Sequence, residues 1–473
     1  MKKNSDIYLF AVLTITSFVS VYFFPSFINK LIFLIILFGA YQTKMDYVFL
    51  IWFFLINDAP GRLFSAASIA TEQRIPLYTF SPGISVSFQE IFIIVFLIKY
   101  FQREKQESFI FKKEFHLFFF FGLFIVVYSI LVGMSNASFI STIRVFMPWL
   151  LILIVPTYLY SVEVVRRASL LIFPFVFFAF ISQIYSYISG TYYDHYLRGV
   201  EYSGLALTED REISRSYSAV YLVFFILIQA LYYLFEEKSK IKNNYLALII
   251  FISCLTIYLS ATRGWIIAGA FLLIGSLIMF FFNYQIKKPV QIVIIAAIGF
   301  LAIAYQFPLV PKQIESSYER IRTIEALLEG DITAGGSMQR LHVRVPIVME
   351  KYYQSPILGW GFSDEYFQYA DGHIGHHNIL LNVGIIGYIL LNGLFIHILT
   401  KIWRSIRTSY HYKEKAPNIY LLGMIAVFII HSTSVQFWGY PLSMEKIVFF
   451  GFFFAALNAI LLSRKHSVPE NAL

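Results

Sequence analysis

Charge is scarce in this chain. Asp, Glu, Lys and Arg make up 14% of its residues, against about 25% in a soluble domain, so a water-facing surface is beyond its means. Cysteine is rarer still. Cys254 stands alone in an apolar stretch, which excludes an intramolecular disulfide and a cysteine-built metal site. Lys2 and Lys3 precede an apolar run from Ile7, but no small-residue cleavage site follows. That run therefore reads as a retained first span and not as a cleaved signal peptide. Internal repeats and low-complexity tracts are also missing.

Apolar residues fill the space that charge leaves. They reach 58% of the chain, with 51 Phe and 33 Tyr, and the mean hydropathy is +0.68. An all-α polytopic membrane protein follows, since each span needs about 20 apolar residues. The runs fall at about 7–24, 28–43, 45–57, 88–101, 115–132, 143–160, 168–189, 215–235, 245–262, 264–283, 290–305, 378–400, 418–437 and 446–463. The second and third are short enough for a re-entrant pair, which gives about 12–14 transmembrane helices.

Most of the 37 Lys and Arg fall on one side when these runs alternate from a cytoplasmic N-terminus. Both termini are then cytoplasmic, and the net charge of +9 orients the protein in its membrane and does not argue for nucleic acid. The outer side holds segments 58–87, 190–214, the turn Ser260-Ala261-Thr262-Arg263-Gly264 and a long segment 306–376. The chain divides accordingly into helices over 1–305, the large outer loop 306–376 and C-terminal helices over 377–473. The loop pattern predicts helices over Ile314–Leu328 and Gln339–Tyr353, separated by Gly335-Gly336 and closed by Pro356.

Short outer loops avoid cations, so the arginines there are informative. Arg263 sits between two strongly apolar spans, where it needs an anionic partner or snorkels to lipid phosphate. Arg211 and Arg215 are spaced to share a helix face, although Glu209, Asp210 and Glu212 are close enough to pair with them. Arg340 or Arg344 adds a cation from the large loop. Guanidinium forks match phosphate oxygens, so the group points to an anionic ligand.

Three of the ten histidines crowd into Asp371-Gly372-His373-Ile374-Gly375-His376-His377-Asn378, where the loop turns into a span. A metal site from Asp371, His373, His376 and His377 would have its ligands packed too closely for good tetrahedral geometry. Interfacial histidines or a general base at His377, with Asn378 orienting a ligand, are the other readings. Downstream, Leu381, Gly384 and Gly387 recur every third residue, a spacing that lets a neighbouring helix pack closely. Upstream, Pro356-Ile357-Leu358-Gly359-Trp360-Gly361-Phe362 reads as a glycine turn whose aromatic rings suit sugars.

These stretches resemble the O-antigen ligase and polymerase superfamily of bacterial polysaccharide assembly. Ser260–Gly264 at a helix turn, Arg340 followed by Pro356-x-x-Gly359-x-Gly361, and His377-Asn378-x-x-Leu381 with Gly384 and Gly387 match in order, most specifically over about 200–400. The resemblance implies a GT-C-like membrane glycosyltransferase of the bacterial cytoplasmic (inner) membrane, with its active site on the outer face. The donor would be a glycan on undecaprenyl pyrophosphate. The acceptor would be a sugar hydroxyl on a second lipid-linked glycan (polymerase) or on the lipid A core of lipopolysaccharide (ligase). His377, or His376 beside it, would be the base. Arg263, Arg211 or Arg215, Arg340, Asn378, Gly359 and Gly361 would contact the pyrophosphate or glycan. Pyrophosphate already leaves well, so arginines suffice without metal or cofactor, and attack from the opposite face inverts the anomeric centre. The rival reading is a secondary transporter or flippase of lipid-linked glycans. Such carriers place charges mid-span and show inverted repeats, neither of which occurs in these runs.

Overall fold

The computed structural model describes residues 5–58, 76–81, 84–103, 109–189, 206–207, 213–215, 220–236, 239–260, 262–280, 315, 318, 340–371, 374–409, 416–430, 436–440 and 442–465. Helices α1 (Ser5–Phe23), α2 (Ser26–Gln42) and α3 (Asp46–Asp58) lead to hairpin β1 (Pro76–Ser81) and β2 (Ile84–Ser87). There follow α4 (Phe88–Gln102), α5 (Lys112–Leu131), α6 (Asn136–Phe146), α7 (Leu151–Tyr158), α8 (Val162–Ile172) and α9 (Phe175–Ser189). A two-stranded pair, β3 (Ala206–Leu207) and β4 (Ile213–Arg215), precedes α10 (Val220–Phe235), α11 (Asn243–Leu259) and α12 (Arg263–Phe280). A π-turn Arg340–Arg344 opens α13 (Val345–Tyr352), followed by α14 (Asp364–Tyr369), α15 (Gly375–Ser409), α16 (Asn418–Ile425) and α17 (Met444–Lys465).

The fold is that of an all-α polytopic membrane protein. Among the described residues five helical stretches are long and apolar enough to cross a membrane, and shorter apolar helices accompany them. The expected run at 290–305 and the expected helix Ile314–Leu328 lie outside the described residues, save for Glu315 and Tyr318. The expected helix over Gln339–Tyr353 corresponds to the π-turn and α13. Two small antiparallel hairpins were not expected from the sequence. Strands β3 and β4, of two and three residues, are too short to show a period-two pattern.

Local chemistry explains several boundaries. Ser87-Phe88-Gln89-Glu90 forms a full capping box, with the Ser87 hydroxyl accepting from the Glu90 amide and Glu90 accepting from the Ser87 amide. Pro148 sits in a 3-10 turn at Met147–Leu150 that divides the stretch Asn136–Tyr158 into α6 and α7. At the centre stands α17, apolar on all sides, with 94% of its spanning window buried. It packs against α3, α7, α8, α10 and α15. On α5, by contrast, Leu117, Phe120, Leu123, Phe124 and Val127 are exposed along a lipid-facing stripe.

Helix ends that alternation assigns to one side meet one another. Lys99 bonds to Asp46 and to the carbonyls of Ala40 and Thr43 at 2.8 Å. Arg103 donates to the Thr157 carbonyl, Arg167 pairs with Asp6 at 3.5 Å, and Lys401 pairs with Glu114 at 2.6 Å. Charges thus close one end of the bundle, while the histidine stretch lies at the other end of α15.

Candidate active site

A break in α15 shapes the site. Gly384 has φ 64° and ψ −173°, a region that side chains avoid, so the helix stops and restarts there. Non-helical backbone at membrane depth must find partners within the protein. The turn 356–361 provides them. Trp360 N–H donates to the Leu381 carbonyl at 2.9 Å and Gly361 N–H to that of Asn382 at 2.7 Å. Beyond the break, Ile385 N–H donates to Pro356 O at 2.9 Å and Ile386 N–H to Ile357 O at 3.3 Å. Asn382 Nδ2 closes the seam on Gly361 O at 2.5 Å.

This corrects the expectation of a continuous helix with a small-residue face. Gly384 is the interruption itself, and of the two glycines only Gly387 keeps a close side-chain neighbour from another helix, Phe121 at 3.0 Å from its would-be Cβ. Gly359 and Gly361, at φ 71° and 58°, are backed by protein: the Asn382 and Gly384 backbone for the first, Ser129 for the second. The aromatic rings of the turn are also engaged. The Lys351 ammonium lies 4.0 Å from the Trp360 ring, Trp360 Nε1 donates to Lys351 O at 3.0 Å, and Phe362 is fully buried.

The loop is fastened twice more. Asp364 accepts from Ser135 N–H at 3.0 Å, Ser135 Oγ at 2.7 Å and Ser138 Oγ at 2.5 Å, at the start of α6. Those hydroxyls hold its carboxyl below the usual carboxylate range. Ser129 Oγ accepts from Phe362 N–H at 2.6 Å.

Asn378 is the hub at the start of α15. Its Nδ2 donates to Tyr366 Oη at 3.1 Å and to Gln436 Oε1, and its Oδ1 accepts from Asp371 N–H at 3.1 Å. Both amide hydrogens are therefore spent on protein. Burial pushes the Tyr366 phenol up, so it remains protonated. Gln436 Nε2 in turn donates to Trp438 O at 3.3 Å and Tyr440 O at 2.9 Å, while buried Lys446 Nζ donates to Gln436 O at 2.7 Å. Asp371 also receives Arg344 Nη1 at 3.1 Å. The chain Lys446–Gln436–Asn378–Asp371–Arg344 thus fixes the stretch that carries the histidines.

The two adjacent histidines differ. His376 Nδ1 lies 3.2 Å from Tyr388 Oη, twelve residues along the same helix and across the break. The half-buried His377 ring has no hydrogen-bond partner among the described residues, and its backbone N–H caps back to Ile374 O at 2.9 Å. His373 lies outside the described residues.

The arginine-bearing helix starts gather at this end of the bundle. Trp265, two residues into α12 from Arg263, packs on Phe437 with ring centroids 6.2 Å apart. Tyr221, at the start of α10, packs on Trp265 at 5.2 Å and on Phe437 at 5.8 Å. Phe437 adjoins Gln436, the partner of Asn378. Arg263 opens α12, Arg215 ends β4 and Arg340 opens the π-turn, each with its side chain outside the described residues, as is the whole of Arg211. Tyr366, Gln436 and Lys446 were not anticipated as parts of this site. For Lys446 a signal existed: it is a cation in a short outer connection, the criterion that singled out Arg263.

The family model described as O-antigen ligase matches residues 248–392, from within α11 to the middle of α15. No curated protein matches the chain.

Proposed function

We propose, for a chain whose residues 248–392 match the O-antigen ligase family model, transfer of a glycan from undecaprenyl pyrophosphate to a sugar hydroxyl at the outer face of the bacterial cytoplasmic membrane. His377 takes the proton of the acceptor hydroxyl. The acceptor oxygen forms a bond to the anomeric carbon while the carbon–oxygen bond to the diphosphate breaks, with inversion. The diphosphate leaves with the bonding pair, and Arg263 with Arg211 or Arg215 offsets its charge. His377 then returns its proton to water. A base contributes here because a sugar hydroxyl is a weak nucleophile, and an imidazole titrates near the working pH. Arg340 enters from the loop side.

One observation supports this assignment above the others. Asn378 is locked by Tyr366, Gln436 and Asp371, so its neighbour His377 is held firmly while its own ring has no hydrogen-bond partner among the described residues. In this reading Asn378, Gly359 and Gly361 build the site and do not touch the sugar. The acceptor is a second lipid-linked glycan or the lipid A core. The test is transfer by purified protein in proteoliposomes supplied with lipid-linked glycan and acceptor. His377→Ala, accumulated and folded, should lose transfer by about 10²-fold or more. Undiminished transfer overturns the assignment of the base. A deletion strain separates the two acceptors: single repeat units on the final acceptor mark a polymerase, and assembled chains stranded on the lipid carrier mark a ligase.

A further inference from the structure

The large loop turns a cation inward and leaves apolar side chains outside. Lys351 on α13 is 9% exposed, paired with Glu365 at 2.6 Å, bonded to Gln354 at 3.1 Å and set 4.0 Å from the Trp360 ring. Ile347, one turn earlier, is 51% exposed, and Tyr353 and Ile357 are 68% and 60% exposed. Val343 and Leu358 extend this exposed series at its two ends. A helix that faces water does the reverse, so the segment suits an apolar surrounding.

Depth identifies that surrounding. The turn after α13 is bonded to α15 at Ile385 and Ile386, whose amides donate to Pro356 O and Ile357 O. At 1.5 Å per residue those positions lie roughly 12 Å beyond His377 along a helix long and apolar enough to cross a membrane. On its other side Tyr128 Oη, in the last turn of α5, donates to Gly359 O at 3.1 Å. Ile130 and Leu131 at that end of α5, and Ile385, Ile386 and Ile389 on α15, are all exposed. Ile357 and Leu358 therefore continue the lipid-facing surface of two spans. Directly before this turn α13 packs against α15. Glu350, exposed between Ile347 and Tyr353, needs headgroups or water within reach, which keeps α13 at the boundary.

We propose that residues 343–358 form a seat in the lipid bilayer. Helix α13 lies along the headgroup boundary with Val343, Ile347 and Tyr353 against acyl chains. The turn after it carries Ile357 and Leu358 into the hydrocarbon, deeper than the histidines. The break at Gly384 permits this, because it supplies the bonds that a non-helical turn needs away from water. Part of the loop that the sequence places outside the membrane is thus within it. The seat fixes the height at which α15 starts and is independent of the role given to His377.

Nitroxide labels on single cysteines test it, in full-length Cys254→Ala protein held in vesicles of phosphatidylethanolamine and phosphatidylglycerol. The readout is the ratio of collisions with oxygen, which concentrates in hydrocarbon, to collisions with a water-soluble nickel chelate. Leu123→Cys, exposed midway along α5, gives the lipid reference, and Lys113→Cys, exposed at its start, the aqueous one. Ile357→Cys should match Leu123→Cys, while Ile347→Cys and Tyr353→Cys should fall between the references. Ratios at Ile347 and Ile357 equal to that at Lys113 overturn the proposal, since the segment would then stand in water. Spin–spin broadening that vanishes on dilution with unlabelled protein also overturns it, because a second copy would be covering the face. The labelled positions are exposed, so the core stays untouched, and if Ile357→Cys fails to accumulate, Leu358→Cys reports the same depth. His377→Ala protein carrying the same labels should give the same ratios, which separates this result from the fate of the transfer reading.

Discussion

Gly359 and Gly384 stand back to back: a Cβ placed on Gly359 would fall 2.5 Å from the Gly384 amide nitrogen. Each has a positive φ, and a Cβ on Gly384 would in turn meet the Ile357 carbonyl of the same turn. The turn and the broken helix are therefore one unit, joined through glycine on both sides.

Alanine at either position should unseat that unit. The strained backbone alone costs about 1–3 kcal/mol, and the contact with Asn382 O or Ile357 O adds to it. Gly359→Ala and Gly384→Ala should each lower the melting temperature of the detergent-solubilised protein by several degrees and depress transfer. Gly393→Ala, with nothing within 4 Å of its Cβ, is the control and should leave both unchanged.

A pH dependence follows from the loop's other fastening. The Asp364 carboxyl is held below its usual range by Ser138, then by Ser135. A depressed folded pKa means that the contribution is present above the unfolded value, near 4, and is lost as pH falls through the folded pKa. Thermal unfolding followed from pH 6 down to pH 3 should thus show a wild-type loss that Asp364→Asn lacks. A parallel decline in both proteins would assign the acid sensitivity to other carboxylates.

Lys446 makes a third prediction. Its ammonium holds the Gln436 carbonyl, and Gln436 holds Asn378, so the cation acts on His377 through two side chains. Lys446→Met strands that carbonyl and should cut turnover by about tenfold with the donor KM little changed. Lys446→Arg, which keeps a donor, should recover most of the loss. An equal rise in KM would place Lys446 against the donor instead.

Much of this architecture is readable from the chain, and the failures share a cause. The apolar runs foretell an all-α polytopic membrane protein because membrane thickness acts locally along the sequence. The stretch around His377 and Asn378 stands out for the same reason, as a polar cluster at the edge of a span. From its spacing Gly384 reads as a packing glycine, since spaced glycines look alike whether a helix continues through them or ends at them. Whether it ends depended on Pro356 and Ile357, which approach from 28 and 27 residues upstream. Tyr366 and Gln436 meet Asn378 from 12 residues before it and 58 residues after it, and contacts of that kind leave no periodic trace.

The last prediction separates the two histidines. His376 is tied to Tyr388 at 3.2 Å, a bond that spans the helix break, whereas the His377 ring makes no such bond among the described residues. If His376 serves the fold of the break, His376→Ala and Tyr388→Phe each remove the same hydrogen bond, worth about 0.5–1.5 kcal/mol. Each should then lower the melting temperature slightly and slow transfer by no more than about tenfold, and the double variant should be no worse than either single one. His377→Ala should leave the melting temperature near wild type and remove transfer. The kcat of the His376→Ala protein settles the matter: a fall as deep as that of His377→Ala would make the base a shared pair, while a shallow one, matched by Tyr388→Phe, leaves proton abstraction to His377.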